Sequence, residues 1–105
     1  MSTRLPGAKY QCVFDSGRVL KGRLMSAWVY RHPDAGRQAG VVVSKKSFHD
    51  AVDRNRAKRI MREAFRLIVD EMPPDCDWVL VGRSALKGRK TSDVVAELRW
   101  MCGRC

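Results

Sequence analysis

Arg54, Asn55, Arg56, Lys58, Arg59, Arg62 and Arg66 crowd one short stretch and could together grip a polyanion. At about 100° per residue on a helix, Asn55, Lys58, Arg59, Arg62 and Arg66 fall within one arc of about 100°. Arg56 and Glu63 share a flank of that arc. A row of guanidinium forks can hold successive phosphates, and Asn55 can both donate and accept toward a sugar or base. A face kept only for solvation normally mixes signs. Within residues 53–69, Arg59 and Glu63 form the only i,i+4 pair of opposite charge, so Glu63 is expected to orient Arg59. The remaining like charges repel by a few tenths of a kcal/mol per pair, and Arg54 and Arg56 sit in a first turn where the helix dipole disfavours cations. Penalties without a folding reason point to a functional surface. Membranes and calmodulin-like partners also take basic amphipathic helices, but this helix needs its apolar side for a core and contains no Trp.

Other chemistry is thin. Cys102 and Cys105 have the C-x-x-C spacing of half a zinc or redox site, while Cys12 and Cys76 stand far off in sequence. The plainer reading makes Cys12 and Cys102 small apolar residues on helix faces. His32 and His49 lack a carboxylate and a nucleophile at a suggestive spacing, so a protein-based acid–base nuclease has no support. Residues 1–6 hold no apolar core of a secretory signal, which sets the expectations of a cytoplasmic protein and no disulfide framework.

The elements that must position the basic face follow from periodicity. Ala57, Ile60, Met61, Ala64, Phe65 and Ile68 make an apolar stripe over 53–69, with Asp50 or Asp53 as N-cap and Pro73-Pro74 as a stop. Tyr10, Val13 and Phe14 at i, i+3, i+4 before Gly17 predict a short helix over 8–16. Residues 23–30 alternate, with Leu24, Ser26, Trp28 and Tyr30 on one face and Met25, Ala27 and Val29 on the other. Residues 39–44 follow a turn as a second strand, 18–21 add an opening one, and 78–81 form a buried one. Thr91 or Ser92 caps a last helix that turns Val94, Val95, Leu98, Met101 and Cys102 inward. One domain over 1–105 is expected, an α+β layer of one sheet with helices packed on it.

Charge is laid out in blocks. The 105 residues carry a net +10. Residues 1–44 hold +5, 45–66 another +5, 67–82 only acids for −4, and 83–90 +4. Opposed blocks suit a polyanion held in a restricted orientation. The basic loop 83–90 reads either as extra phosphate contacts or as a solvated loop. No apolar run approaches the roughly 20 residues of a membrane span.

The stretch Ser44-Lys45-Lys46, then Ala51-Val52-Asp53-Arg54-Asn55-Arg56-Ala57-Lys58-Arg59-Ile60-Met61-Arg62-Glu63-Ala64-Phe65-Arg66, closely resembles the signature of the bacterial ribonuclease P protein family. That pattern is a V-S-K-K strand end followed by A-V-x-R-N-R-x-K-R-x-x-R-E-x-F-R on a helix. The resemblance implies an αβββαβα fold with one mixed four-stranded sheet and a left-handed βαβ crossover, like domain 2 of ribosomal protein S5, against the usual hand. It further implies two partners, a catalytic RNA and precursor tRNA, with no membrane and no obligate protein partner. The RNA would cut the 5′ leader using Mg²⁺ held mainly by its own phosphates, and the protein would supply no catalytic residue.

By the same resemblance, Lys45, Lys46, Arg54, Asn55, Arg56, Lys58, Arg59, Arg62 and Arg66 contact the catalytic RNA. Tyr10, Phe14 and Trp28 line a cleft for the single-stranded leader. Unpaired bases stack on aromatic faces without demanding a sequence, at about 1–3 kcal/mol each. The alternative is that these three are ordinary core residues, though Tyr10 and Trp28 each carry a polar group suited to a half-exposed site. Tyr10 stands where the family usually has Phe, and the basic segment before it is shorter than usual. Two other readings remain open: a general RNA-binding module of ribosomal type, and a nuclease in its own right.

Overall fold

The computed structural model describes residues 3–104. A 3₁₀ turn at Gly7–Lys9 leads into α1 (Tyr10–Ser16). Strands β1 (Arg18–Lys21), β2 (Met25–Arg31) and β3 (Ala39–Val42) follow, then α2 (Ala51–Leu67), β4 (Cys76–Gly82) and α3 (Thr91–Cys102). Short 3₁₀ turns at Val69–Glu71 and Ser84–Leu86 flank β4. The four strands form one mixed sheet in the order β1-β2-β4-β3. β2 is antiparallel to both its neighbours, and β3 runs parallel to β4. Parallel strands need a crossover, and α2 supplies it.

Alternation along the strands splits the sheet into two faces. On one, Met25, Ala27, Val41, Cys76, Trp78 and Leu80 pack against Ala57, Met61, Ala64 and Phe65 of α2 and Val94, Leu98 and Met101 of α3. All six residues of the apolar stripe anticipated for α2 are buried. The other face carries a smaller cluster, where Val13 and Val79 meet Tyr10, Phe14, Trp28, Tyr30, Val42 and Val81 under α1. Residues ahead of α1 extend the sheet beside β3: the Leu5 N–H donates to the Ala39 carbonyl at 3.1 Å, and the Ala39 N–H to the Thr3 carbonyl at 2.8 Å.

Several local expectations need correction. α2 begins at Ala51 with Asp50 at the N-cap, so Asp53 lies inside its first turn, and the helix stops at Leu67 before a 3₁₀ turn. β2 starts at Met25. Leu24 therefore escapes the strand's alternation and joins the α2–α3 core instead of the face of Trp28. Lys90, not Thr91 or Ser92, is the N-cap of α3, and the Asp93 carboxylate accepts its N–H at 3.0 Å. A carboxylate in the first turn reaching back to the cap is a common substitute for a capping hydroxyl.

Candidate nucleic-acid interface

With Ala57, Ile60, Met61, Ala64 and Phe65 pinned in the core, the opposite side of α2 is forced outward. A shallow groove of about 640 Å³ runs along it, lined by Thr3, Arg4, Asn55, Lys58, Arg59, Arg62, Glu63 and Arg66. The five-residue arc read from the sequence thus forms one wall. Thr3 and Arg4, brought alongside by the backbone pairing with Ala39, form the other. Arg4 is the contributor that sequence reading missed. Only that strand-like pairing carries it to α2, and no local pattern signals it.

Carboxylates around the groove are already engaged. Glu63 accepts from Arg66 at 2.9 Å, which corrects the expectation that it orients Arg59: i,i+3 wins over i,i+4 here. Asp53 faces Lys87 at 3.5 Å. Further away, three of the four acids of the acidic connector have partners of their own. The Arg99 guanidinium holds Glu71 below the ordinary carboxylate range through hydrogen bonds at 3.0–3.4 Å. Arg31 does the same to Asp75 at 2.6 Å. Asp77, 1% exposed, bonds His32 Nε2 at 2.9 Å and the Gly36 N–H at 3.1 Å, a pairing invisible at a sequence distance of 45. Among the described residues, Arg56, Lys58, Arg59 and Arg62 consequently have no carboxylate partner within 4.0 Å. That leaves a dense strip of cations available for phosphates.

Not every predicted contact residue joins this wall. Arg54 turns back, and its Nη1 donates to the carbonyls of Phe48 and His49 at 2.9 and 2.8 Å, tying down the segment between β3 and α2. Lys45 and Lys46 stand exposed in the turn of that segment and line neither groove described here. Arg56 lies in a neighbouring groove with Arg59, Glu63, Arg89 and Lys90. Two cations of the 83–90 loop therefore abut the basic helix.

The predicted aromatics gather on the other side of the sheet. Phe14 and Trp28 meet edge to face with ring centroids 5.2 Å apart. Tyr10 is half-buried, and its hydroxyl accepts the Val41 N–H at 3.1 Å. All three keep part of their surface in water, as does Tyr30, which stacks on His32 at 4.4 Å. Sequence alternation had put Tyr30 on this face without marking it as a site residue. Cys12 is exposed, Cys76 buried and Cys102 half-buried with its thiol 3.0 Å from Met72 Sδ, while Cys105 lies outside the described residues. Among the described residues no three His, Cys, Asp or Glu side chains cluster as a metal site.

Comparison with known proteins gives a consistent result. The family model described as Ribonuclease P matches residues 5–105. The ribonuclease P protein component of Exiguobacterium sp. is 33% identical over 91 residues, covering 87% of this chain and 78% of that protein. Its counterpart in Xanthomonas oryzae pv. oryzae is 40% identical over 78 residues, 74% of this chain, which spans about half (52%) of that longer relative. Among solved structures, the RNase P protein from Thermotoga maritima superposes with a TM-score of 0.83 at 24% identity, covering 97% and 96% of the two chains. The Staphylococcus aureus RNase P protein gives 0.78 at 24% identity, with 95% and 92% covered.

Proposed function

The chain belongs to the ribonuclease P protein family, and on that premise we propose how its two surfaces divide the work. As a protein subunit of ribonuclease P, it binds RNA in the removal of the 5′ leader from precursor tRNA and is not itself the catalyst. In our reading the groove along α2 docks the catalytic RNA. Lys58, Arg59 and Arg62 take its phosphates, and Asn55 reaches a sugar or base edge. Arg56, Arg66, Lys45 and Lys46 add charge around the rim, and Arg54 supports the segment that presents them. Tyr10, Phe14 and Trp28 offer the leader a sequence-tolerant stacking surface. Cytoplasmic residence, a single domain, and a left-handed crossover through α2 of the ribosomal S5 domain 2 type complete the reading. The adjacency of parallel β3 and β4 requires a crossover, and its hand and type are part of the proposal.

The observation that carries this assignment is the strip of four α2 cations that have no carboxylate partner among the described residues. Two large polyanions must meet for the reaction to occur. The cationic strip lowers the repulsion between them, and the aromatic face on the other side adds stacking. Mg²⁺ does not suit the donors on this chain: Asp53 and Glu63, the acids nearest the groove, each face a cation. The metal is accordingly assigned to RNA phosphates, and no step is routed through the protein.

Reconstitution tests the reading. The protein added to its catalytic RNA should raise precursor tRNA cleavage at low Mg²⁺ far above either component alone. Binding without stimulation would instead indicate a general RNA-binding module. Cleavage by the protein alone would indicate a nuclease.

A further inference from the structure

A second groove, of about 740 Å³, opens beside α3 and away from α1, lined by Lys21, Gly22, Arg23, Arg83, Ala96 and Trp100 among others. Of the three tryptophans, Trp78 is buried and Trp28 half-buried, but Trp100 is 46% exposed. The Arg104 guanidinium lies 4.3 Å from its ring centroid. A helix face meant only for water has no use for an indole flanked by cations. The acid in this groove, Glu97, is directed at backbone: its carboxylate accepts the N–H groups of Arg23, Leu24 and Met25 at 2.6–3.1 Å. That clamp holds the β1–β2 turn so that Lys21 and Arg23 project beside Trp100, and neither has a carboxylate partner among the described residues.

This groove is joined to the α2 surface. Arg23, Ala96 and Glu97 also line a smaller groove with Arg89 and Asp93. Arg89 in turn lines the groove holding Arg56 and Arg59, and Arg59 faces the groove of Lys58 and Arg62. Cations therefore follow one another without a break from α2, past the start of α3, to the indole. Asp93, Glu97 and Glu63 are the acids met on the way, and each is engaged: Asp93 by the Lys90 N–H, Glu97 by the β1–β2 turn and Glu63 by Arg66.

We propose that the catalytic RNA follows this track beyond α2 and places an unpaired nucleotide on Trp100, with the adjoining phosphates held by Lys21, Arg23 and Arg83. The inference rests on α2 being the docking face. The catalytic RNA is the occupant because the track continues that face, whereas the aromatic cleft lies on the opposite side of the sheet. Stacking supplies affinity without sequence readout, and the cations supply a salt-dependent component.

Dissociation constants for the full chain and its catalytic RNA, measured over a salt series, test this. Trp100→Ala should weaken binding by roughly fivefold to a hundredfold, and Trp100→Phe should recover most of the loss. Lys21→Ala with Arg23→Ala should lower the log–log salt slope by about 1.4–1.8, two phosphate contacts' worth. All these side chains are exposed, so melting temperatures should hold. Should Trp100→Ala disturb the fold, the Phe variant and the slope of the lysine–arginine variant still decide. Wild-type affinity and slope in every Trp100, Lys21 and Arg23 variant, alongside a loss in Lys58→Ala with Arg62→Ala, would overturn the track and leave α2 as the docking face. No loss in the Lys58 and Arg62 variant either would overturn the docking face itself. A Trp100→Ala defect confined to precursor tRNA, with assembly intact, would likewise overturn the proposal.

Discussion

Tyr10 sits directly over Gly40: a Cβ at that glycine would fall 2.3 Å from the tyrosine Cζ, and the hydroxyl accepts the N–H of the next residue, Val41. The helix that carries Tyr10 and Phe14 is thus fastened to β3. Tyr10 is a tie between α1 and the sheet, and in the proposed reading it is also a surface for the leader. The two roles separate by mutation.

Tyr10→Phe keeps the ring and removes the acceptor. The N–H of the buried Val41 loses its partner, a cost of about 1–3 kcal/mol for an unsatisfied buried donor. Urea unfolding should report that loss, while the preference of the holoenzyme for leader-bearing precursor over mature tRNA stays near wild type. A collapse of that preference in the Phe variant would show that the hydroxyl, not the ring, serves the leader.

Gly40→Ala attacks the same contact from below. The new methyl would collide with the Tyr10 ring and hydroxyl, so the ring must shift. Overpacking of this kind costs about 1–3 kcal/mol. The leader preference should fall together with stability, and to a greater degree than in Tyr10→Phe. An unchanged leader preference would detach Tyr10 from the cleft's function.

These examples show where sequence reading succeeds and where it stops. The buried stripe of α2 and the arc of Asn55, Lys58, Arg59, Arg62 and Arg66 opposite it were legible because helical periodicity fixes both at once. The alternation that puts Trp28 and Tyr30 on the α1 side was legible for the same reason. Long-range partners were not. Arg4 beside α2, Asp77 beneath His32 and Glu97 under the β1–β2 turn depend on how elements pair, at separations that no local pattern encodes. Leu24 was assigned to the wrong face because the strand begins one residue after it, and Glu63 to the wrong arginine because two helical spacings compete.

The Glu71–Arg99 pair joins the turn after α2 to α3, and it carries a signed dependence on pH. Arg99 lowers the Glu71 pKa in the folded state. The stabilisation is therefore complete above about pH 4.3, the ordinary glutamate value, and is lost as pH falls through the lowered one. Glu71→Gln should show a lower urea midpoint than wild type at neutral pH, and the gap should close in strong acid. Both partners are solvent-exposed, so the gap should be small and should shrink with added salt. A gap that persists unchanged in acid would mean that the glutamine disrupts packing instead of charge.

Glu97 and its turn give a sharper stability prediction. Four backbone hydrogen-bond contacts converge on one carboxylate from the N–H groups of Arg23, Leu24 and Met25. Hydrogen bonds to a charged group are worth about 1.5–3 kcal/mol, and Glu97→Ala should cost at least that in urea unfolding. Glu97→Gln retains one acceptor oxygen and should recover part of it. Equal stability of the alanine variant and wild type would show that water replaces the carboxylate without loss.

Arg54 and Arg62 belong to the same sequence motif yet face different tasks, and salt dependence tells them apart. Arg62 lines the α2 groove with no carboxylate partner among the described residues. Arg54 spends its Nη1 on the carbonyls of Phe48 and His49. In the proposed docking, removing Arg62 deletes a phosphate contact, so the log–log salt slope for catalytic-RNA binding should fall by about 0.7–0.9 with unfolding unchanged. Removing Arg54 leaves two carbonyls short of a charged donor and frees the segment that carries Lys45 and Lys46. The expected signature is a loss of about 1.5–3 kcal/mol in unfolding, with a smaller change in slope than for Arg62→Ala. Arg54→Lys, which can still donate to a carbonyl, should recover stability in part. If Arg54→Ala instead left stability intact and reduced the slope as much as Arg62→Ala, Arg54 would be a phosphate ligand like its neighbours.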